Sequence, residues 1–465
     1  MASSAPFMNE DTIAAISTPR GEGGIGIVRL SGDKAIPIVK DLFVSSRGKD
    51  IAQRKAGRVF HGEIRRKGEP VEEVLVHVMR APYTYTREDV VEINCHGGSG
   101  PLQAVLELCL ASGARLAEPG EFTKRAFLNG RLDLVQAEAV IDRIRAQTMA
   151  GLRAANAAAT GALSKRIHEI NALLTDIEAQ LEAAIDFPEE DLPDTVDEEL
   201  RTEVRRAVDE MHQLLATARA GRLYREGAGV AIAGRPNVGK SSLFNALLRD
   251  ARAIVTSVPG TTRDLLEEII TIEGIPVRLT DTAGLHLSPD EVEQIGIERA
   301  REALQNADIV LMVVDASQPP QEDERQLAEE LAGHGAPVVL ALNKTDLIGE
   351  AQAHPPDWPL SFSAVQPLSA ATGEGLEDLE KTLARLLLGE AAIPPDQGLV
   401  TRLHQQDSLR RACAALEQVL ENFGQSPELL SVDVREAQQA LGEITGETTP
   451  DDVLDRIFSA FCIGK

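Results

Sequence analysis

The spacing of apolar residues changes character along this chain, and each change marks a candidate boundary. Short apolar runs over the first 125 residues predict strands at 11–18, 25–30, 56–64, 71–80 and 89–95, with helices at 33–43 and 101–112. The cluster Gly21-Glu22-Gly23-Gly24-Ile25-Gly26 leads into the apolar run Ile27-Val28-Arg29-Leu30, so it reads as a turn between strands and not as a dinucleotide fingerprint, which must open a helix. Cys109 reads as a core residue and His96, beside Gly97 and Gly98, as a loop histidine. From 121 to 221 the composition turns to Ala, Leu, Glu, Gln and Arg with few breakers, which predicts long helices. Leu173, Ile177, Leu181 and Ile185 recur every four residues and line one face. The acidic, proline-punctuated stretch 186–193 breaks this helix, and another runs over 197–220. Helical spacing returns from 401, carried by Leu416, Val419, Val434, Leu441, Leu454 and Phe458. Helices with one apolar stripe need a partner, so residues 126–221 and 390–465 are expected to form one discontinuous helical domain around an inserted domain, 222–389.

The insert carries the first chemistry. The apolar run 229–233 precedes Gly234-Arg235-Pro236-Asn237-Val238-Gly239-Lys240-Ser241, and Ser242 opens a helical pattern. Strand, glycine loop and helix is the context of a phosphate-binding loop, whose N–H groups turn toward phosphate oxygens at the positive end of the helix. Lys240 is placed to reach the outer phosphates and Ser241 to ligate magnesium. Asp281-Thr282-Ala283-Gly284 follows a predicted strand, 275–280, and brings a carboxylate near the metal and a glycine N–H near the terminal phosphate. Asn343-Lys344-Thr345-Asp346 follows the apolar run 337–342. Its aspartate can accept hydrogen bonds from N1–H and the exocyclic amine of guanine, a pair that adenine lacks. Ser369 and Ala370 begin the segment that would close over the base. These elements, in order, predict an inserted P-loop GTPase domain of Ras-like α/β fold that binds GTP.

Thr256-Ser257-Val258-Pro259-Gly260-Thr261-Thr262 lies where a switch loop belongs, with Thr261 and Thr262 as candidates to close on magnesium and the terminal phosphate. Leu285 follows Gly284, where Ras-like enzymes have the glutamine that orients the attacking water. The nearest alternative groups are Asp290, Glu291 and Glu293, among which spacing does not choose. Asn237 suggests another source of positive charge, a monovalent cation bound between the phosphates with switch-loop oxygens.

Composition narrows the partners. The 465 residues suggest about three domains at ~150 residues each. Cys95, Cys109, Cys413 and Cys462 form no CxxC pair, which argues against a zinc site and a disulfide framework. No run of 18 apolar residues occurs, and the first residues lack the pattern of a signal peptide, so the expectation is a cytoplasmic protein without a membrane partner. A net charge of −26 disfavours non-specific nucleic-acid binding and demands a local basic patch for any RNA. Candidates are Arg54, Lys55 and Arg58, then Arg65, Arg66 and Lys67, then Lys124, Arg125 and Arg131.

Over its whole length the chain resembles the MnmE (TrmE) family of tRNA-modification GTPases. The resemblance rests on Gly23-Gly24-Ile25-Gly26-Ile27-Val28-Arg29, on residues 118–130 from Glu118-Pro119-Gly120-Glu121-Phe122, on the 234–242 loop, on Asp281 to Leu285 with Ile295-Gly296-Ile297-Glu298-Arg299, and on the end Phe461-Cys462-Ile463-Gly464-Lys465. It implies a multidomain α/β plus all-α chain whose residues 1–125 form an α+β folate-binding and dimerisation domain. It implies a homodimer that binds a 5-formyltetrahydrofolate-type one-carbon donor. An FAD-binding partner of the MnmG type, in a heterotetramer or larger, would help install an aminomethyl or carboxymethylaminomethyl group on C5 of the wobble uridine of certain tRNAs. Carried onto this sequence, the folate contacts are Arg29, Glu92, Arg131 and Lys465, and Cys462 lies near the modification chemistry. Arg131 stands where family members often have lysine, and Pro259 where alanine is common. The resemblance also assigns K+ to Asn237 with Thr256, Val258 and Thr261, Mg2+ to Ser241 and Thr262, and water orientation to Glu293. A second function class, a regulatory or ribosome-assembly GTPase with non-catalytic flanking domains, predicts a strongly basic appendage and gives the terminal Cys462 and Lys465 no role.

Overall fold

In the computed structural model the described residues are 11–19, 21–52, 57–186, 194–250, 267–281, 302–333, 335–348, 353–356, 358, 360–389 and 393–465. The chain divides into two compact units, one of residues 1–141 with 435–465 and one of residues 142–434.

The first unit is built on a seven-stranded sheet. Its strands are β1 (Ile13–Ile16), β2 (Gly26–Ser31), β3 (Phe43–Ser45), β4 (Arg58–Arg66), β5 (Glu69–Met79), β6 (Val90–Cys95) and β7 (Arg115–Leu116), in the order β3-β4-β5-β6-β2-β1-β7. The Gly21–Gly26 segment joins the antiparallel pair β1 and β2, as a strand-to-strand turn should. Helices α1 (Ala35–Leu42) and α2 (Ser99–Ala111) cover one face, where Ile36, Val39, Val105 and Leu106 pack on Leu30, Val76 and Ile93. Phe43 leaves the predicted helix to start β3, because it pairs with Ile64 across the sheet. Cys95 and Cys109 lie in this core, and burial pushes both thiols up to about 12, so they are protonated packing groups at neutral pH. After α3 (Glu121–Leu128), α4 (Leu134–Arg145) buries Leu134, Ala137 and Ile141 against Leu454, Phe458 and Phe461 from the chain's end.

The second unit starts with α5 (Met149–Ala159), α6 (Ala162–Asp186), α7 (Asp194–Ala216) and α8 (Ala218–Glu226). The buried stripe of α6 is Ile167, Ile170, Leu174, Ile177 and Leu181, not the every-fourth-residue set, of which Leu173 and Ile185 are only half-buried. Four residues advance 400°, so a strict four-residue repeat drifts around the helix while alternating threes and fours hold one face. A six-stranded sheet follows from β8 (Ala228–Ala233), β9 (Glu267–Ile272), β10 (Ile275–Asp281), β11 (Ile309–Asp315), β12 (Val338–Asn343) and β13 (Ala364–Pro367), ordered β13-β12-β11-β8-β10-β9. Every neighbouring pair is parallel except β9 with β10. The chain crosses from one side of β8 to the other between β10 and β11, and the loop after β8 sits at that switch point. Helix α9 (Lys240–Asp250) follows the loop, with α10 (Glu322–Ala332) and α11 (Leu376–Leu388) later in the unit. The C-terminal helices are α12 (Leu403–Glu421), α13 (Pro427–Thr445) and α14 (Asp451–Ser459).

Candidate functional site

The loop Gly234–Gly239 is shaped by contacts that exclude side chains. Gly234 has φ +146° and a Cβ there would meet the Val313 carbonyl at 2.3 Å; Gly239 has φ +102° and a Cβ there would meet Asn343 Nδ2 at 2.2 Å. Asn343 Nδ2 instead donates to the Val238 carbonyl at 2.8 Å, and its Oδ1 accepts from Ala370 N at 3.0 Å. One buried amide thus ties the phosphate loop, the base loop and the 369–370 segment together. Lys240 is 5% exposed and donates to the Gly234 and Arg235 carbonyls, each at 2.6 Å. Burial pushes its ammonium below the usual lysine range, and the charge of Asp281 only partly offsets this. A buried cation held by neutral carbonyls gains by meeting an anion, which suits a phosphate. Ser241 Oγ donates to Asp281 Oδ2 at 3.1 Å, so a hydroxyl and a carboxylate converge as hard oxygen ligands for magnesium should. Ser242 is exposed beside them.

At the base end, Ser369 Oγ donates to Asp346 Oδ1 at 2.6 Å and accepts from Thr372 N at 3.2 Å, which sets the carboxylate. Thr345 is buried and its N–H donates to the Leu368 carbonyl. Lys344 Nζ donates to Asp315 Oδ2 at 2.7 Å and to the Asn237 carbonyl at 2.9 Å. Burial opposes the charge on Asp315, but hydrogen bonds from Lys344 and Ser317 outweigh it and hold the carboxyl below its usual range. Thr256, Ser257, Val258, Pro259, Gly260, Thr261, Thr262, Thr282, Ala283, Gly284, Leu285, Asp290, Glu291 and Glu293 lie outside the described residues.

The first unit gathers the other predicted residues. Arg29 is ion-paired with Glu92 at 2.9 Å and donates from Nη1 to the Gly464 carbonyl at 3.2 Å. Ile463 bridges Pro119, and Gly120 N donates to the Cys462 carbonyl, so the tail is pinned beside the Arg29–Glu92 pair with Cys462 exposed. Lys465 is half-buried at the end of the same strap. Arg131 stacks on the Tyr85 ring at 4.8 Å and donates to the Tyr85 carbonyl, so it is placed by that aromatic residue.

Two family models match the chain: the MnmE helical domain over residues 134–462 and the TrmE N-terminus over residues 12–131. The tRNA modification GTPase MnmE of Geobacter sulfurreducens is 47% identical, covering 98% of this chain and 99% of that protein. The protein of the same name from Carboxydothermus hydrogenoformans is 45% identical, covering 98% and 100%. The chain belongs to the MnmE family. Among solved structures, the G domain of the T. maritima FeoB iron transporter is 34% identical over 34% of this chain and 98% of that one, with a TM-score of 0.25.

Membership of the MnmE family makes this chain a GTP-hydrolysing enzyme of tRNA modification, and so selects the first of the two function classes. Of the candidate basic residues, Arg58, Arg66 and Lys67 are exposed. Arg125 is 2% exposed and bound by Asp11, Glu88 and Glu121, while Lys124 pairs with Asp455 and Arg65 with Glu63. The family motif around Glu121 and Arg125 is therefore a buried ionic clasp. Arg54 and Lys55 lie outside the described residues. His96 is exposed, and its backbone N–H and Nδ1 both meet Glu72 Oε1, at 3.0 and 2.5 Å. Asp315 is not among the residues singled out from the sequence; it stands at the end of the apolar run 309–314, level with Asn343. No helix among the described residues is long and apolar enough to cross a membrane.

Proposed function

We propose that this MnmE-family chain is a potassium-dependent GTPase that, with an FAD-binding partner, adds an aminomethyl or carboxymethylaminomethyl group to C5 of the wobble uridine of certain tRNAs. The observation that carries this reading is the pinning of the tail from Cys462 to Lys465 beside the Arg29–Glu92 pair. A GTP site has no use for that strap, so a second centre lies in the first unit. There Arg29, Glu92, Arg131 and Lys465 would hold a 5-formyltetrahydrofolate-type donor, which supplies one carbon at the oxidation level of a formyl group. The cations suit the glutamate-type carboxylates of such a donor, and Glu92 suits the N–H groups of its pterin ring. Cys462 is exposed next to them and acts near the uridine.

In the second unit, Lys240 offsets charge on the outer phosphates and the N–H groups of 237–242 face them. Ser241 and Thr262 would hold magnesium with the Asp281 carboxylate nearby, and the ion would supply charge compensation at the phosphates. Asp346, set by Ser369, selects guanine. Asn237 with oxygens of Thr256, Val258 and Thr261 would hold K+, which takes the place of an arginine finger. Glu293 orients the attacking water through a second water. We assign residues 1–125 to folate binding and dimerisation, 126–221 and 390–465 to the helical domain, and 222–389 to the GTPase. The protein works in the cytoplasm as a homodimer, and hydrolysis drives a conformational cycle.

Equilibrium titration of the full chain with 5-formyltetrahydrofolate tests the reading. Saturable binding is expected, with loss on Arg29→Ala while GDP binding stays unchanged. No detectable binding at millimolar ligand contradicts it.

A further inference from the structure

Asp315 belongs to none of the GTP-binding motifs, yet the geometry points to it as a positioning residue for the nucleotide: we propose that its carboxylate, acting through the Lys344 ammonium, locks the phosphate loop and the base loop into one unit. Three observations carry this. First, Asp315 is fixed before it touches Lys344. It ends β11 in register with Asn343 of β12, and its side chain is 5% exposed. Oδ1 accepts from Ser317 N at 3.0 Å and Ser317 Oγ at 2.6 Å, and Oδ2 accepts from Gln318 Nε2 at 3.1 Å. Second, one ammonium spans two loops, with Asp315 Oδ2 at 2.7 Å on one side and the Asn237 carbonyl at 2.9 Å on the other. A long lysine stem held only by a neutral carbonyl would sample many rotamers, and the charged partner restricts it. Third, Asn237 and Lys344 both have left-handed backbones, at φ +64° and +67°. Residues with a Cβ stay there only when their surroundings hold them, and here the Nζ to carbonyl bond joins the two. Lys344 is two residues from Asp346, and Asn237 lies in the phosphate loop, so releasing the ammonium loosens both ends of the nucleotide site.

A consequence for the cation rests on the potassium reading above: the backbone from which the Asn237 side chain projects is set from the base loop, so base occupancy and K+ binding are coupled. The affinity consequence does not need that reading.

Full-length wild type, Asp315→Asn, Lys344→Met and the double variant are titrated with fluorescent GDP and GTP in sodium buffer, and the apo proteins are melted. Asp315→Asn keeps shape and acceptor but removes the charge. It is expected to weaken both nucleotides about tenfold. The double variant is expected to bind no more weakly than Lys344→Met alone, with an apo melting temperature for Asp315→Asn close to that of wild type. Unchanged affinity, or losses that add in the double variant, overturns the proposal. Ser317→Ala removes one donor to Oδ1 from an exposed position and gives a second reading should Asp315→Asn not fold. It is expected to cost about threefold in affinity, and wild-type affinity overturns the proposal equally. In potassium, Asp315→Asn is expected to raise the K+ concentration for half-maximal turnover. If wild type turns over equally in K+ and Na+, the cation reading fails, while the sodium titrations still decide the role of Asp315.

Discussion

Gly239 shows how closely the nucleotide residues are set against one another. Its φ of +102° is costly for any L side chain, and a Cβ would displace the Asn343 amide that holds Val238 and Ala370. Gly239→Ala is therefore expected to combine about 1–3 kcal/mol of backbone strain with loss of a buried hydrogen bond of about 1 kcal/mol. Together these amount to a loss of about 2–4 kcal/mol in stability, read by denaturant unfolding. Lys240 and Asp346 were legible because each sits in a motif whose spacing is set by a local turn. Asp315 was not, since its meaning arises only when β11 pairs with β12 and brings it level with Asn343. Arg125 was misleading for a related reason. A run of cations reads as surface until the fold supplies Asp11, Glu88 and Glu121 around one of them.

The clasp around α3 makes that correction testable at the level of an element. Burial opposes the charges on Asp11 and Glu121, but Arg115 and Arg125 outweigh it and hold both carboxyls below their usual range. Their contribution to stability is therefore complete above the ordinary carboxylate range of about pH 4 and is lost as pH falls through the depressed folded-state values. Removing Arg125 takes one cation from Asp11, Glu88 and Glu121 while Arg115 still pairs with Asp11 and Glu121, so Arg125→Met is expected to destabilise the first unit by about 1.5–3 kcal/mol at pH 7. Denaturant unfolding followed from pH 7 to pH 3 checks this: wild type should lose stability below about pH 4, and the variant should lose less over the same interval. An equal acid loss in both would place the titrating groups elsewhere. The long helices were legible from composition and period, although the face of α6 was set by alternating threes and fours. Strands β9, β11 and β13 were not read from the sequence. All of Ile309–Asp315 is buried, so its signal is a continuous apolar run like 337–342 and not an alternation.

At the scale of the molecule, an acidic chain of net charge −26 must handle two polyanions, GTP and tRNA. Lys240 solves the first locally, by burial in a loop whose carbonyls hold it until a phosphate arrives. On the proposed reading a monovalent cation at Asn237 would supply the remaining charge, so turnover of GTP by wild type should be much faster in K+ than in Na+ at equal ionic strength, with equal rates excluding that role. The two-unit division, with residues 435–465 returning to the N-terminal sheet, brings the tail to Arg29 and leaves the GTPase motifs in the other unit. The sequence announced the GTPase through its motifs, whereas the tail became intelligible only through the resemblance and its seat on the sheet. On the proposed function this GTPase serves chemistry on the wobble uridine. Mass spectrometry of wobble nucleosides from cells lacking the gene tests it most directly. Loss of the C5 aminomethyl-type groups is expected, with their return on adding the wild-type gene but not Cys462→Ser; wobble uridines that keep those groups in the absence of the gene would exclude the role.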